Sequence, residues 1–251
     1  MKRAWWAQIV IAGGFFLATS ACSGPPGQTA AEAAPPEDGG WTRTPAILAI
    51  RPAEGGLVVA GRAQPGGRVV LRNSAGAAYA AAADATGAFE IRIATAEPAL
   101  LLRPEIQVGE DAAASPDRLL ILDRGRGPVA VLGVGRAAIR LDAGPALGAV
   151  DSDGRSTVVS GRALGDDPVT VVADGATTRL QPGPGGRWSL LVAATPGEVI
   201  RVNGRDFVWP GSAAAAPGDL QVERDAGGWG VGWTGPGGAR QWTWLPAAAA
   251  S

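Results

Sequence analysis

Apolar and polar side chains alternate with a period of two along much of this chain. Val169, Val171 and Ala173 lie at alternate positions of one segment, and Trp188 and Leu190 lie at alternate positions of another. Turns rich in glycine and proline separate such segments roughly every 8–12 residues. This alternation is typical of strands with one buried face, and many short strands in series predict an all-β sandwich.

The sequence also contains an internal repeat with an offset of about 100 residues. VVAGRA at 58–63 recurs as VVSGRA at 158–163, and RVVL at 68–71 matches PVTV at 168–171. Weaker matches follow in the same order at slightly different offsets, as small loop insertions would produce. The repeat predicts two copies of one unit, each of a common domain size.

Aromatic residues occupy matching positions in the two copies. Phe89 and Trp188 each follow a turn that contains glycine, and polar Ser189 points away from the face that Trp188 and Leu190 share. Because that face needs an opposing sheet, we expect Trp188 to be a core anchor of the second copy.

The repeated turns resemble those of bacterial Ig-like domains. GRAQPGGRVVL at 61–71 and ADATGAF at 83–89 are similar to the family pattern Gly-x-Ala-x-Pro-Gly-x-x-Val, followed by Ala-Asp-x-x-Gly and an aromatic residue. The second copy keeps GRA at 161–163 and GGRW at 185–188, but has GDD at 165–167 instead of Pro-Gly. A carboxypeptidase-regulatory-like or transthyretin-like sandwich would leave similar traces. The resemblance implies spacer, adhesive or assembly roles, usually without catalysis.

The N-terminal residues follow the order of a secretory signal peptide. Lys2 and Arg3 precede an apolar run at 4–18, and small residues lead to Cys22. The run is shorter than the ~20 residues that a membrane-spanning helix needs. The sequence therefore predicts export.

Cys22, the single cysteine, closes a lipobox-like segment. LATSAC at 17–22 resembles the lipobox of bacterial lipoproteins, in which the cysteine is acylated and becomes the mature N-terminus; Thr19 stands where leucine is commonest. Ser23 resembles the residue that permits transfer to the outer membrane in Gram-negative relatives. We expect lipid attachment at Cys22 and a place in the bacterial cell envelope, at the outer membrane or periplasmic face in a Gram-negative cell. The alternative is cleavage after Ala21 to a soluble periplasmic protein.

These observations divide the chain into four predicted parts. A signal peptide covers 1–21, and a lipid anchor with a flexible linker rich in proline and glycine covers 22–45. Two tandem Ig-like β-sandwiches then cover 46–145 and 150–247.

Composition narrows the function classes. With 38 glycines and 20 prolines the chain suits turns and short strands, and its net charge of −1 leaves no basic excess for nucleic-acid phosphates. It has no histidine, so Ser-His-Asp catalysis and histidine-bound zinc are excluded. Its only lysine, Lys2, would be removed with the predicted signal peptide, so Ser-Lys and Schiff-base chemistry are excluded as well. Carboxylate-pair catalysis stays possible, but the acids do not single out a pair. We expect no enzymatic activity and no cofactor.

An acidic segment, Asp151-Ser152-Asp153-Gly154, resembles the start of a calcium loop. Position twelve of such a loop needs glutamate, and here it is Arg162. We therefore interpret the segment as a solvated interdomain turn and predict no metal site.

The most distinctive segment is a predicted tryptophan hairpin near the C-terminus. Trp229 and Trp233 lie on one strand and Trp242 and Trp244 on the next, with GPGG at 235–238 as the turn. A turn centred between the second and third of these residues would put all four indoles on one side, whereas a shift of one residue would separate the two pairs. The rings are either an aromatic platform for sugars or the core of the closing hairpin, which the repeat favours.

Together these patterns predict a non-catalytic, lipid-anchored envelope protein that acts in structure, assembly or adhesion. Its partners would be the membrane, through the lipid, and another envelope protein or a glycan. The alternative is a glycan-binding module that works through the tryptophan hairpin.

Overall fold

The computed structural model describes residues 42–212, 218–225 and 227–247, so Cys22, the predicted signal peptide and most of the predicted linker lie outside it. The described residues belong to one compact unit. They form antiparallel sheets joined by turns and three single-turn 3-10 helices, at Asp123–Gly125, Pro184–Gly186 and Pro236–Gly238. The predicted all-β fold is confirmed.

Ten strands make up the first half of the described chain: β1 (Ala46–Ala53), β2 (Gly56–Arg62), β3 (Arg68–Arg72), β4 (Ala78–Ala82), β5 (Ala88–Ala94), β6 (Ala99–Val108), β7 (Asp111–Ala114), β8 (Arg118–Leu122), β9 (Val129–Leu132) and β10 (Ile139–Arg140). One sheet has the order β1-β2-β5, and the other has the order β10-β9-β8-β6-β3-β4, with β7 on β6. Both contribute to one core, which includes Leu57, Phe89 and Leu102.

Ten further strands make up the second half: β11 (Leu147–Ser152), β12 (Thr157–Arg162), β13 (Val169–Ala173), β14 (Ala176–Leu180), β15 (Arg187–Val192), β16 (Val199–Val202), β17 (Arg205–Val208), β18 (Leu220–Arg224), β19 (Gly228–Thr234) and β20 (Arg240–Pro246). The sheets have the orders β15-β12-β11-β20-β19-β18 and β14-β13-β16-β17. The two sheets enclose a second core, which includes Val159, Trp188 and Trp244.

The glycine that the two GRA segments have in common has the same packing role in each half. Gly61 lies opposite Phe89, and Gly161 lies opposite Trp188. A Cβ at Gly61 would stand 2.5 Å from the Phe89 ring, and one at Gly161 would stand 2.7 Å from the Trp188 ring. Because only glycine leaves room for the ring to cross the strand, the motif and the aromatic residue are needed together. Both rings are buried, which confirms the prediction for Trp188.

The repeat extends into the strands that precede these glycines. A β-bulge lies between Ile47 and Ala49 in β1, and another lies between Leu147 and Ala149 in β11. Bulges disrupt pairing locally and increase strand twist. The shared bulge shows that the two halves resemble each other in backbone detail as well as in the strand orders β1-β2-β5 and β15-β12-β11.

The halves differ in where their last three strands attach. Strand β8 joins β6, whereas the corresponding meander of the second half joins β11 through β20. The ten residues of β6 pair with β8 at one end and with β3 at the other, but β16 has only four residues and already pairs with β13 and β17. The shorter strand therefore leaves no length for the meander to pair with.

A third core joins the two halves. Strands β8 and β9 bury both faces, because one face packs in the first core and the other packs against β11, β19 and β20. The first half contributes Leu120, Leu122, Ala130, Leu132 and Ala138 to this shared core, and the second half contributes Ala149, Val231, Trp233 and Leu245. The halves thus meet through an apolar layer, while the domain boundaries at 145 and 150 stay a prediction.

Candidate functional site

The predicted tryptophan hairpin exists, and it has the second of the two registers that the sequence left open, the one that separates the two tryptophan pairs. Trp229 lies opposite Leu245, and Trp233 lies opposite Gln241. The turn contains three residues between Gly235 and Ala239, whose backbone N–H and carbonyl groups bond at 2.8 Å. The hairpin therefore centres on a residue instead of between two residues, which moves one strand by a single position.

That shift places the indoles on opposite faces of the sheet. Trp242 and Trp244 share a face with Gly230 and Gly232, and a Cβ at Gly230 would stand 2.5 Å from the Trp242 ring. Since neighbouring residues alternate in a strand, Trp229 and Trp233 point to the other face, toward the shared core.

Burial excludes an exposed row of four rings. The exposed fractions are 1% for Trp233, 1% for Trp244 and 7% for Trp242. Trp229 is half-buried, and the Arg224 guanidinium lies 4.7 Å from its ring centroid as a cation–π contact. The alternative of a flat sugar platform formed by all four rings does not fit this burial. Trp244 packs in the core of the second half and Trp233 in the shared core, while Trp242 lies over Gly230 and Gly232.

A hydrogen-bonded chain crosses the shared core beside Trp233. Its Nε1–H donates to Thr243 Oγ1 at 3.2 Å, and the Thr243 hydroxyl donates to Asp151 Oδ1 at 2.7 Å. The second carboxyl oxygen, Oδ2, accepts the Ala138 N–H at 2.7 Å. Burial raises the pKa of Asp151 to about 6, although both hydrogen bonds act in the opposite direction. Asp151 thus ties the two halves together.

The two aspartates of the acidic segment have different roles, which the sequence pattern did not distinguish. Asp151 lies in strand β11 and faces the shared core, so its place in a solvated turn was wrong. Asp153 does form the turn, where its Oδ1 accepts the N–H groups of Arg155 and Ser156 at 2.8 Å each. These bonds lower the pKa of Asp153. In the part of the chain that the structure describes, no group of three His, Cys, Asp or Glu side chains could hold a metal ion.

A groove of about 580 Å³ lies where the two halves meet and is a candidate site. Ile139 and Pro145 line it from the β10 side, and Gly161, Leu164 and Trp188 line it from the second half. The Leu164 side chain is fully exposed at the mouth. The groove begins where the shared core ends, because β10 is only two residues long and covers no more of the opposing sheet.

Arginine side chains surround this apolar groove. Arg140 is held within the wall, since its guanidinium bonds both oxygens of Asp142 at 2.9–3.1 Å and donates to the Pro246 carbonyl at 2.6 Å. Arg162 and Arg187 are exposed to the groove. The site therefore offers an apolar surface bordered by positive charge, the chemistry that binds an amphipathic anion.

A second cavity of about 390 Å³ also lies between the halves and is more polar. Arg72, Arg103 and Arg118 line it, and Glu105 pairs with the first two. Burial and the charge of Arg103 lower the pKa of Arg118. The Arg118 guanidinium donates to three backbone carbonyls of its own loop, so its main role is to hold that loop.

Sequence reasoning did not find the groove. Its residues come from three segments, at 136–148, 160–164 and 187–189, which only the packing of the two halves brings together. The signal that existed was the repeat itself: aligning GRA with GGRW places Arg162 opposite Arg187, a pairing that the first copy lacks.

Comparison with known proteins does not name the fold or the groove: no protein-family model matches the chain, and no curated protein is significantly similar to it. Within the described ranges, no helix is long and apolar enough to cross a membrane.

Proposed function

We propose that this protein is a non-catalytic, lipid-anchored component of a bacterial cell envelope whose folded unit holds another envelope component in place. The anchor rests on the lipobox-like segment 17–22 and its single cysteine. A linker rich in proline and glycine would let the folded unit stand away from the membrane.

The observation that carries the binding role is the shared core with its open groove. Apolar side chains from β8 and β9 pack directly against β19 and β20, so the two halves form one packed unit instead of two independent domains joined by a linker. A groove at such a junction keeps its shape when the protein moves on its tether. That property suits a protein that presents a partner in a fixed orientation.

The chemistry of the acidic groups supports a non-catalytic role. Among the described residues, Asp151 is the one carboxyl group with a pKa raised toward neutrality, and both its oxygens accept hydrogen bonds within the shared core. A carboxyl group used in this way joins strands. The glycan-binding alternative has no comparable support, because Trp233, Trp242 and Trp244 are buried.

Metabolic labelling with a fatty acid in the native host tests the anchor. We expect the wild-type chain to incorporate label and to fractionate with membranes, because an acylated Cys22 would supply the lipid. Cys22→Ser should abolish both, and Ser23→Ala is the matched control that should keep the label.

An unlabelled wild-type chain would overturn the lipid anchor. Label that survives in Cys22→Ser would overturn the assignment of the attachment site. Recovery of folded Cys22→Ser protein, judged by circular dichroism, ensures that a loss of label reports on acylation and not on degradation.

A further inference from the structure

The outer face of the β12–β15 pair carries three ordered cross-strand rows. Arg162 lies opposite Arg187, Ser160 lies opposite Ser189, and Val158 lies opposite Leu191. Trp188 marks the inner face, so these residues of opposite parity share the outer face, which the groove borders. Ser160 is buried, and its hydroxyl donates to the Ala138 carbonyl at 3.1 Å, so the accessible residues of this face are Arg162 and, on β15, Arg187, Ser189 and Leu191. Along β15 the surface therefore changes from cationic to hydroxyl to aliphatic.

The cationic row is uncompensated within the described residues. Arg162 donates through Nε to the Gly185 carbonyl at 3.0 Å, which leaves its charge without a counter-ion, and Arg187 takes part in no described ion pair or hydrogen bond of its side chain. Like charges directly opposite each other destabilise a sheet. The arrangement costs folding free energy that an anionic ligand would recover.

The first half has no like-charged pair at the position that corresponds to Arg162 and Arg187. There Arg62 lies opposite Ala88, so no like-charged pair forms. Glu90, in the next row, pairs with Arg51 of β1, across the intervening strand β2. The repeat thus keeps its backbone but changes its charges, and the unpaired cations belong to the second half.

The aliphatic end of the surface is exposed to water. The Leu191 side chain is 68% exposed, although it lies on a strand. At the corresponding position of the first half stands Arg92, a residue suited to water. An exposed leucine aligned with exposed arginines makes one amphipathic surface rather than isolated surface residues.

We propose that this surface and the adjoining groove bind an extended acidic peptide segment of a partner protein. The peptide would lie along β15 and place a carboxylate on Arg162 and Arg187, a polar residue at Ser189 and an apolar side chain at Leu191. Successive rows of a strand face lie roughly 7 Å apart, the spacing of alternate side chains in an extended peptide. An anionic lipid headgroup would match the arginine row alone, so the ordered rows favour a peptide.

This inference deepens the proposed function and rests on it, because it names the chemistry of the partner that the unit would hold. The probe is the synthetic peptide Glu-Thr-Ser-Thr-Leu, with Lys-Thr-Ser-Thr-Leu as its matched opposite. The purified full-length chain in a neutral detergent is titrated with each peptide, and backbone amide chemical shifts are followed by NMR.

We expect the glutamate peptide to shift the amides of Ser160, Gly161 and Ser189, and the lysine peptide to leave them unchanged. The double change Arg162→Glu and Arg187→Glu should weaken binding by about tenfold or more, since it replaces two attractive charges by repulsive ones. Arg155→Glu with Arg179→Glu is the matched control, because both residues are exposed in the same half and outside the groove. This control should keep the wild-type affinity.

Equal binding of the two peptides, no shift with either peptide, or equal loss in both double variants would overturn the proposal. Binding of phosphatidylglycerol vesicles through the same two arginines, without competition by the glutamate peptide, would replace the peptide by a membrane surface. The result is independent of Cys22, so a failure here leaves the fatty-acid labelling test of the anchor intact.

Discussion

At the residue scale, the close pairing of glycines with aromatic rings explains why the repeat has the sequence it has. Gly161 lies where a Cβ would stand 2.0 Å from the Ala146 carbonyl oxygen as well as against Trp188. Gly61 has the two equivalent neighbours in the first half, the Ala46 carbonyl oxygen at 2.2 Å and the Phe89 ring. The motif is therefore a packing requirement of the strand pair, and it carries no chemistry.

Gly161→Ala should destabilise the protein by about 1–3 kcal/mol, because a methyl group at that position overlaps backbone that cannot move freely. Gly165→Ala is the matched control, since no atom lies within 4 Å of a Cβ there. Denaturant unfolding of the two variants measures the difference. Equal midpoints would contradict the packing argument.

Asp151 gives a second prediction at this scale. Its pKa is raised from 3.8 to about 6, so the native state holds the proton more tightly than the unfolded chain does. The stabilisation is then complete below the unfolded pKa and is lost as the pH rises through about 6. Relative to Asp151→Asn, the wild-type protein should lose up to about 3 kcal/mol of unfolding free energy between about pH 4 and pH 7.

Denaturant melts of both proteins across this pH range measure that difference. Asp153→Asn provides a control of opposite sign, because backbone hydrogen bonds lower the pKa of Asp153 and its contribution should grow as the pH rises. A pH-independent gap between wild type and Asp151→Asn would contradict the prediction.

At the element scale, the hairpin β19–β20 shows where sequence patterns stop being sufficient. The two alternating runs and the Gly-Pro turn identified the strands. The turn length decided the register, and a difference of one residue placed Trp242 and Trp244 together on the face opposite to Trp229 and Trp233. Local composition fits several turn lengths here, because glycine tolerates all of them.

The position of the last three strands is a second decision at this scale. The meander β8–β10 and its counterpart β18–β20 occur in the same order along the two copies, yet they attach to different sheets. The length of β6 compared with β16 determines the attachment, so a difference outside the repeated segments alters the topology of the copies.

At the scale of the whole molecule, the shared core makes the two halves depend on each other. Leu120 is fully buried and contacts this core from the first half, while Val231 and Leu245 contact it from the second. Loss of packing in one half should therefore reach the other.

Leu120→Ala should lower the unfolding free energy by about 2–5 kcal/mol through the cavity that it leaves. It should also speed amide hydrogen exchange in β19 and β20 of the second half. Leu48→Ala, at a half-exposed position of the first half, is the control. Unchanged exchange in the second half of Leu120→Ala would mean that the halves unfold independently.

The sequence by itself determined the strands, the repeat and the core anchors Phe89 and Trp188, because alternation and turn chemistry act over a few residues. Tertiary structure decided the hairpin register, the attachment of the last strands and the placement of Asp151 in the shared core. It also decided that Arg162 and Arg187 face one groove. These features depend on contacts between distant segments and on strand lengths summed over a whole sheet, and no local pattern records them.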